Sequence, residues 1–266
     1  KKGYTYNKHT KRRISAFVPV HVWGNACDFS DIIDVCNRRN IKVVEDASES
    51  LGTFYSKGKF NHKHTGTIGD VGCISFNGNK IITTGGGGVI LTQNNKTEEK
   101  ARYLINQAKD DPLFYIHNEV GYNFRMTNIQ AAVGVGQLEQ LDSFIEKKIK
   151  IYQNYKSKIN NISGLNLVEV PSYSNNNHWL NIINVNDEIY DESILDILIR
   201  LKKKNIETRP VWALNHSQKP FLGFQNYKIE RSNVLVGYSL CIPSSTNLSQ
   251  KDQNLVIENL EKKIIN

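Results

Sequence analysis

Two residues at the ends of neighbouring apolar runs could do chemistry together. Asp46 closes the run Ile41-Lys-Val-Val-Glu-Asp46, and Lys80 stands in the loop after Gly72-Cys-Ile-Ser75-Phe-Asn77-Gly-Asn-Lys80, ahead of the glycines at 85–88. An acid at one strand end and a lysine after another is how a protein holds a pyridine aldehyde. The acid grips the ring nitrogen and the lysine forms an imine with the carbonyl, the pairing used for pyridoxal 5'-phosphate (PLP). The carboxylate keeps the ring nitrogen protonated, and a protonated ring accepts electrons from a substrate carbanion. The lysine, once released, is a base that moves a proton. Each residue also has an ordinary reading. Asp46 could cap the turn after its strand, and Lys80 could be a surface lysine. What sets Lys80 apart is its frame of glycines, which suggests backbone that bends or approaches a ligand closely. Those glycines match neither G-x-G-x-x-G nor a P-loop, which weakens dinucleotide and nucleoside triphosphate readings.

Other residues could complete such a site. Ser75 and Asn77, two apart on one face of a strand end, could hydrogen-bond a phosphate or ring hydroxyl, or simply cap the strand. Gly121-Tyr-Asn123-Phe-Arg125 precedes a helix start, a position that favours anions. Arg209-Pro-Val-Trp212-Ala-Leu-Asn215-His216-Ser-Gln-Lys219-Pro suits a sugar or nucleotide, because arginine and aromatic faces contact such ligands; a structural loop is the alternative. His62-Lys-His64 offers two imidazoles with no third ligand nearby, so no metal is expected.

The elements that must position these residues alternate between strand and helix. A strand over 14–20, a helix over 29–39 and a strand over 41–45 make a β-α-β unit, with Asp46 at the carboxyl end where such units bind ligands. Strands are expected over 71–76 and 89–92, covered by a helix over 97–108, with a loop over 55–67 and an irregular segment over 110–126. Thr127-Asn-Ile-Gln130 is a capping box, opening a helix that runs to about 159, with a break. Its first part is small and apolar and suits close packing; its second is charged and reads as exposed. Beyond it a small α/β domain is expected, with strands over 178–185, 206–209 and 240–242 and helices over 191–203, 230–236 and from Ser249.

Composition narrows the classes. At 266 residues, 39% hydrophobic and 23% charged, the chain reads as globular rather than disordered, with no apolar run of membrane-spanning length. The net charge of +8 is dispersed lysine, which gives solvated faces and some pull on a phosphorylated substrate. Neither zinc-finger spacing nor an RNA-binding aromatic signature is present, so nucleic acid is not an expected partner. Cys27, Cys36, Cys73 and Cys241 form no Cys-x-x-Cys pair, which suggests a reducing, cytoplasmic setting.

Val43-Val-Glu-Asp46-Ala-Ser-Glu49-Ser-Leu-Gly, the Gly69 to Lys80 segment, Thr84-Gly-Gly-Gly-Gly and Gly121-Tyr-Asn123-Phe-Arg-Met-Thr-Asn-Ile-Gln-Ala-Ala together resemble the DegT/DnrJ/EryC1/StrS sugar aminotransferases. The resemblance covers nearly the whole chain. It implies an α/β protein of the aspartate aminotransferase fold, PLP fold type I: a mostly parallel large domain over 1–145 lacking its N-terminal part, and a small C-terminal α/β domain over 146–266. It implies that Lys80 carries the cofactor, Asp46 holds the ring nitrogen, Glu49 stands beside the ring where the family usually has glutamine, and Ser75 binds the phosphate. Asn77 is grouped with them as cofactor-binding. Asn123 would reach the cofactor phosphate of a neighbouring subunit, which implies a homodimer with shared sites. Arg209, Trp212 and His216 would meet the substrate. Residues 209–221 and Pro243-Ser-Ser-Thr further resemble the branch acting on UDP-4-keto-6-deoxy-HexNAc, of bacillosamine or legionaminic acid type. The implied activity is amino transfer, with glutamate as donor, to a keto sugar nucleotide in surface polysaccharide or glycan synthesis. Because the family's chains carry a further N-terminal segment, a fragment is expected here. The alternatives are an inactive remnant and a PLP-dependent sugar dehydratase on the same scaffold, the latter disfavoured by Lys80.

Overall fold

The structure, a computed structural model, describes residues 3–261. It divides into two compact units. The first runs to Ile145 and takes back Val170–Trp179; the second comprises Glu146–Glu169 and the chain from Leu180 onward.

In the first unit the elements are β1 (Ala16–Phe17), α1 (Ser30–Arg38), β2 (Lys42–Asp46), β3 (Phe54–Tyr55), β4 (Val71–Ser75), β5 (Gly88–Leu91), α2 (Asn95–Ile105), β6 (Lys109–Asp111), β7 (Ile116–His117) and α3 (Asn128–Leu138). Helix α4 (Leu141–Ile159) begins in this unit and continues in the second. The sheet order is β1-β2-β4-β5, with the first two pairings parallel and the last antiparallel. Alternate residues of β2 and β4 are buried, the period-two signature of strands with one face on a core. That core holds Phe29, Ile33 and Cys36 of the α1 region with Val43, Tyr55 and Phe60. Gly72 is required by close approach: a Cβ there would overlap the Gly66 carbonyl.

Several expected elements differ. The strand expected over 14–20 is a two-residue ladder plus a single bridge from Val20 to Asp46. Pro19, with no N–H to donate, interrupts it, while its carbonyl accepts from Asp46 at 2.9 Å. The loop expected over 55–67 starts inside β3, which pairs with β9 (Ser174–Asn175), and contains a 3-10 turn at Gly58–Phe60; β8 (Leu165–Leu167), which comes before β9 in the chain, belongs to the second unit. The irregular 110–126 segment includes the β6–β7 hairpin. Helix α2 buries none of its residues fully.

The long helix breaks at Glu139–Gln140 into α3 and α4, and its halves exchange the expected roles. Apolar α3 buries only Gly134, whereas charged α4 buries Lys148, Ile151, Tyr155 and Ile159. Ile151, Tyr155 and Ile159 recur at helical spacing on one face, joined there by the buried Lys148, while Asp142, Glu146, Lys147 and Lys150 are exposed.

The second unit continues with β10 (Asn181–Val185), α5 (Asp187–Tyr190), α6 (Ile194–Lys203), β11 (Arg209–Pro210), α7 (Glu230–Tyr238), β12 (Ser239–Ile242) and α8 (Gln250–Glu261). The strand expected from residue 178 starts at Asn181, because residues up to Trp179 belong to the first unit. Its sheet, ordered β11-β12-β10-β8, is antiparallel throughout. Helix α6 opens with a second capping box, Ser193 with Asp196, and turns Ile197 and Leu201 inward. These pack with Tyr155, Ile159, Ile183, Leu240, Val256 and Leu260. The buried tyrosine hydroxyls find acceptors: Tyr155 donates to the Pro243 carbonyl at 3.0 Å and Tyr190 to that of Leu260 at 2.6 Å.

Lys148, 5% exposed, donates to the Ser244 carbonyl, and burial pushes its ammonium down to about 8 from 10.5. Between those values the unfolded chain binds more protons than the folded one, so folding gains from rising pH there. We expect the stability of wild type relative to Lys148→Met to be flat below pH 7. It should then climb through pH 8 toward pH 10, by at most about 3 kcal/mol. Urea denaturation across that range checks this, and a parallel pH dependence of the two proteins would contradict it.

Candidate active site

The site is built outward from Glu45. This acid points with Val43 toward the core and is fully buried. It accepts from His21 Nε2 at 2.9 Å and from the backbone N–H groups of Gly66 (2.8 Å), Ile68 (2.6 Å) and Gly69 (2.6 Å). Burial alone would push its pKa up; the hydrogen bonds from His21 and those amides outweigh it and hold the carboxyl below its ordinary range. His21 Nδ1 accepts from the Cys27 N–H at 3.0 Å, so Nε2 carries the hydrogen given to Glu45.

The next residue, Asp46, faces the other side of the sheet. It pairs in register with Cys73, which places it in one row with Cys73 and on the same face as Ser75. Asp46 Oδ1 accepts from the Ser48 N–H at 3.2 Å. Glu49 follows and accepts from the Trp23 N–H at 2.6 Å. Burial is the main reason its pKa is raised; the Trp23 N–H and the Lys80 charge oppose the rise, and Asp46 adds to it.

Lys80 is half-buried in the turn after β4, its N–H bonded to the Asn77 carbonyl at 3.0 Å. Its Nζ lies 4.2 Å from the ring centroid of Trp179. Burial lowers its pKa, against the charges of Glu49 and Asp46, which favour the ammonium. A lysine less basic than usual is a better nucleophile and proton carrier near neutral pH. Ser75 Oγ accepts from the Asn77 N–H at 3.2 Å, and Asn77 is exposed beyond the strand. Added Cβ atoms on Gly78, Gly85 and Gly86 would meet nothing within 4 Å, so the loop around Lys80 is open.

The structure thus brings Asp46, Glu49 and Lys80 within electrostatic reach, with Ser75 on the same sheet face as Asp46. Asn123 is exposed on a segment bridged to Asn106. Arg209, Trp212 and His216 belong to the second unit. Arg209 pairs with Glu207 at 2.5 Å, Trp212 is half-exposed, and His216 lies in a 3-10 turn. Both nitrogens of His64 serve the fold, Nε2 accepting from the Gly52 N–H at 2.7 Å and Nδ1 meeting the Thr65 carbonyl. Among the described residues no group of three or more His, Cys, Asp or Glu could hold a metal ion.

A family model for the DegT/DnrJ/EryC1/StrS aminotransferases matches residues 6–261. The chain belongs to this family. It is 37% identical over 247 residues to EpsN of Bacillus subtilis (strain 168), assigned as a pyridoxal phosphate-dependent aminotransferase, with 91% of this chain and 62% of EpsN covered. It is 34% identical over 261 residues to a GDP-perosamine synthase of Caulobacter vibrioides, covering 95% of this chain and 67% of that one. Among solved structures, the aminotransferase TlmJ of Streptoalloteichus hindustanus superimposes with a TM-score of 0.83 at 22% identity, over 93% of this chain and 65% of that one. The fold is accordingly PLP fold type I, and the chain spans about two thirds of the length of these relatives.

Within this family member, the sequence left four supporting residues unmarked. Glu45 carried a usable signal: an acid at an inward position of an apolar strand must be hydrogen-bonded. His21, Asn177 and Trp179 carried none, because their partners are distant in sequence. Asn177 is fully buried; its Nδ2 donates to the carbonyls of Glu49 and Leu51, both at 2.9 Å, and its Oδ1 accepts from the Trp179 N–H at 2.9 Å. Gly24 makes room for it, since a Cβ there would overlap the Asn177 amide. We expect Asn177→Ala to leave two buried carbonyls without this donor and to destabilise the first unit by about 2–4 kcal/mol. Urea denaturation followed by tryptophan fluorescence measures it, and a loss below about 0.5 kcal/mol would show that Asn177 does not organise the loop.

Proposed function

We propose that the protein to which this chain belongs is a PLP-dependent sugar aminotransferase. It moves an amino group, from glutamate as donor, to the keto group of a sugar nucleotide. The observation that carries this reading is the placement of Asp46 at the carboxyl end of β2 and Lys80 in the turn after the adjacent parallel strand β4, with the amine within electrostatic reach of two carboxylates and less basic than usual. The donor set fits the cofactor: a carboxylate for a pyridinium nitrogen, a hydroxyl on the same sheet face for a phosphate, and a nucleophilic amine. When bound, the cofactor supplies the electron sink.

The chain's own residues would do the rest. Asp46 would hold the ring nitrogen as its ion-pair partner. Glu49 would lie beside the ring, and Ser75 and Asn77 would hold phosphate or hydroxyl oxygens. Lys80 Nζ would hold the cofactor and, once released, would be the base that moves a proton between the substrate carbon and the cofactor. Arg209, Trp212 and His216 would contact the sugar nucleotide. Arginine suits a diphosphate, and an indole suits a sugar or base face. The relative named for GDP-perosamine supports the class of sugar nucleotide; the UDP-4-keto-6-deoxy-HexNAc assignment rests on the resemblance of residues 209–221 and Pro243-Ser-Ser-Thr. The scattered free thiols suit the cytoplasm, and no described helix is long and apolar enough to cross a membrane.

The same reading includes a homodimer with shared sites. Its support is an exposed apolar surface on the first unit: Leu113, Phe114 and Tyr115 are at least 70% exposed, and Ile129 is 79% exposed on α3. Asn123 lies between these segments in the chain.

Two experiments test the proposal. Incubation with PLP, borohydride reduction and peptide mapping should place pyridoxyl on Lys80; Lys80→Ala should abolish that label and Asp46→Asn should reduce it. Label spread evenly over surface lysines would refute the site. Ile129→Asp should shift a dimer to monomer in analytical ultracentrifugation while leaving circular dichroism unchanged, and an unshifted dimer would move the interface elsewhere.

A further inference from the structure

Trp179 is 4% exposed and fixed on both sides. Its Nε1–H donates to the Asn79 carbonyl at 2.7 Å, within the turn that carries Lys80. Its backbone N–H donates to Asn177 Oδ1, whose own amide is tied to the Glu49 and Leu51 carbonyls. One asparagine therefore links the loop bearing Glu49 to the tryptophan against which Lys80 lies.

We propose that Trp179 is the positioning residue of Lys80: its ring face sets where the amine stands and favours the ammonium, while its N–H clamps the lysine turn. The π face of an indole attracts a cation but accepts no proton. The charged groups facing Lys80 are Glu49 and Asp46, which also favour the ammonium, and burial opposes all three. To add to an aldehyde, the amine must first lose its extra proton. Nζ then bonds to the carbonyl carbon, and the oxygen leaves as water with the two remaining amine hydrogens. On deprotonation the attraction to the ring weakens, so the nitrogen is freed for attack at the moment it becomes nucleophilic. A carboxylate in the same place would hold the ammonium more firmly and delay that release.

This inference rests on Lys80 being the cofactor-bearing lysine, but its claim about the amine is testable without cofactor. Competitive acetylation of the chain with trace acetic anhydride across pH, read by peptide mass, gives the midpoint of Lys80. In Trp179→Leu that midpoint should fall by about half a unit, the worth of one cation–π contact. In Trp179→Phe, which keeps a ring face and loses the N–H, the fall should be smaller. In both variants the pyridoxyl label on Lys80 should drop several-fold at subsaturating PLP, most in Trp179→Leu. A folded Trp179→Leu with a midpoint at or above wild type overturns the proposal. If that variant does not fold, Trp179→Phe with both midpoint and labelling unchanged overturns it. Absence of label on wild-type Lys80 counts against the cofactor reading, and the acetylation midpoints then decide the role of Trp179 independently.

Discussion

The first unit depends on a buried negative charge. A carboxylate out of water costs several kcal/mol unless it is fully hydrogen-bonded. Glu45 meets that demand with His21 and the loop amides of Gly66, Ile68 and Gly69, which ties β2 to residues 21–27 on one side and 66–69 on the other. The loop can deliver those amides only because Gly66 and Gly72 let two backbones approach closely. Once Glu45 is pinned inward, strand alternation pins Asp46 outward. The functional carboxylate inherits its position from a structural one.

Electrostatics near Lys80 follows from the same arrangement. Burial raises the pKa of Glu49 and lowers that of Lys80, so both groups are pushed toward their neutral forms. Their mutual attraction pushes back, while the charge on Asp46 favours the ammonium of Lys80 but adds to the rise at Glu49. Groups balanced in this way exchange protons at small cost, which is why strongly perturbed titrations gather at reactive sites. Lys148 in the second unit is a contrast. It is more deeply buried, with its basicity reduced to about 8, but it serves the Ser244 carbonyl within a packed core.

What the sequence revealed was local. The acid ending β2, the glycine-framed lysine and the capping box at Thr127 are patterns within a dozen residues, and each fixes its own backbone. What it concealed was non-local. Residues 170–179 carry no periodicity, yet Tyr173 donates to the Ala26 carbonyl at 3.1 Å and Asn177 organises the Glu49 loop. The exposure of α3 was also hidden. Small apolar residues signal that a helix must be covered, not which surface of which unit covers it.

That last point bears on how assembly and chemistry are joined. A helix apolar around most of its circumference, as α3 is, has no solvent face, and its side chains at Ile129, Val133, Val135 and Leu138 are nonetheless open. Segments 113–116 and 120–124 add further exposed apolar and aromatic side chains, with Tyr122 and Phe124 stacked at 5.0 Å. Asn123 lies between those two rings in sequence and is itself exposed. In the proposed dimer, burying this surface would take exposed apolar area out of water and at the same time hold Asn123 against the partner's site. A monomer would then lack one phosphate contact for a physical reason: backbone hydrogen bonds tie Asn123's segment to residues 104–107 of its own chain, and the phosphate it would reach belongs to the partner.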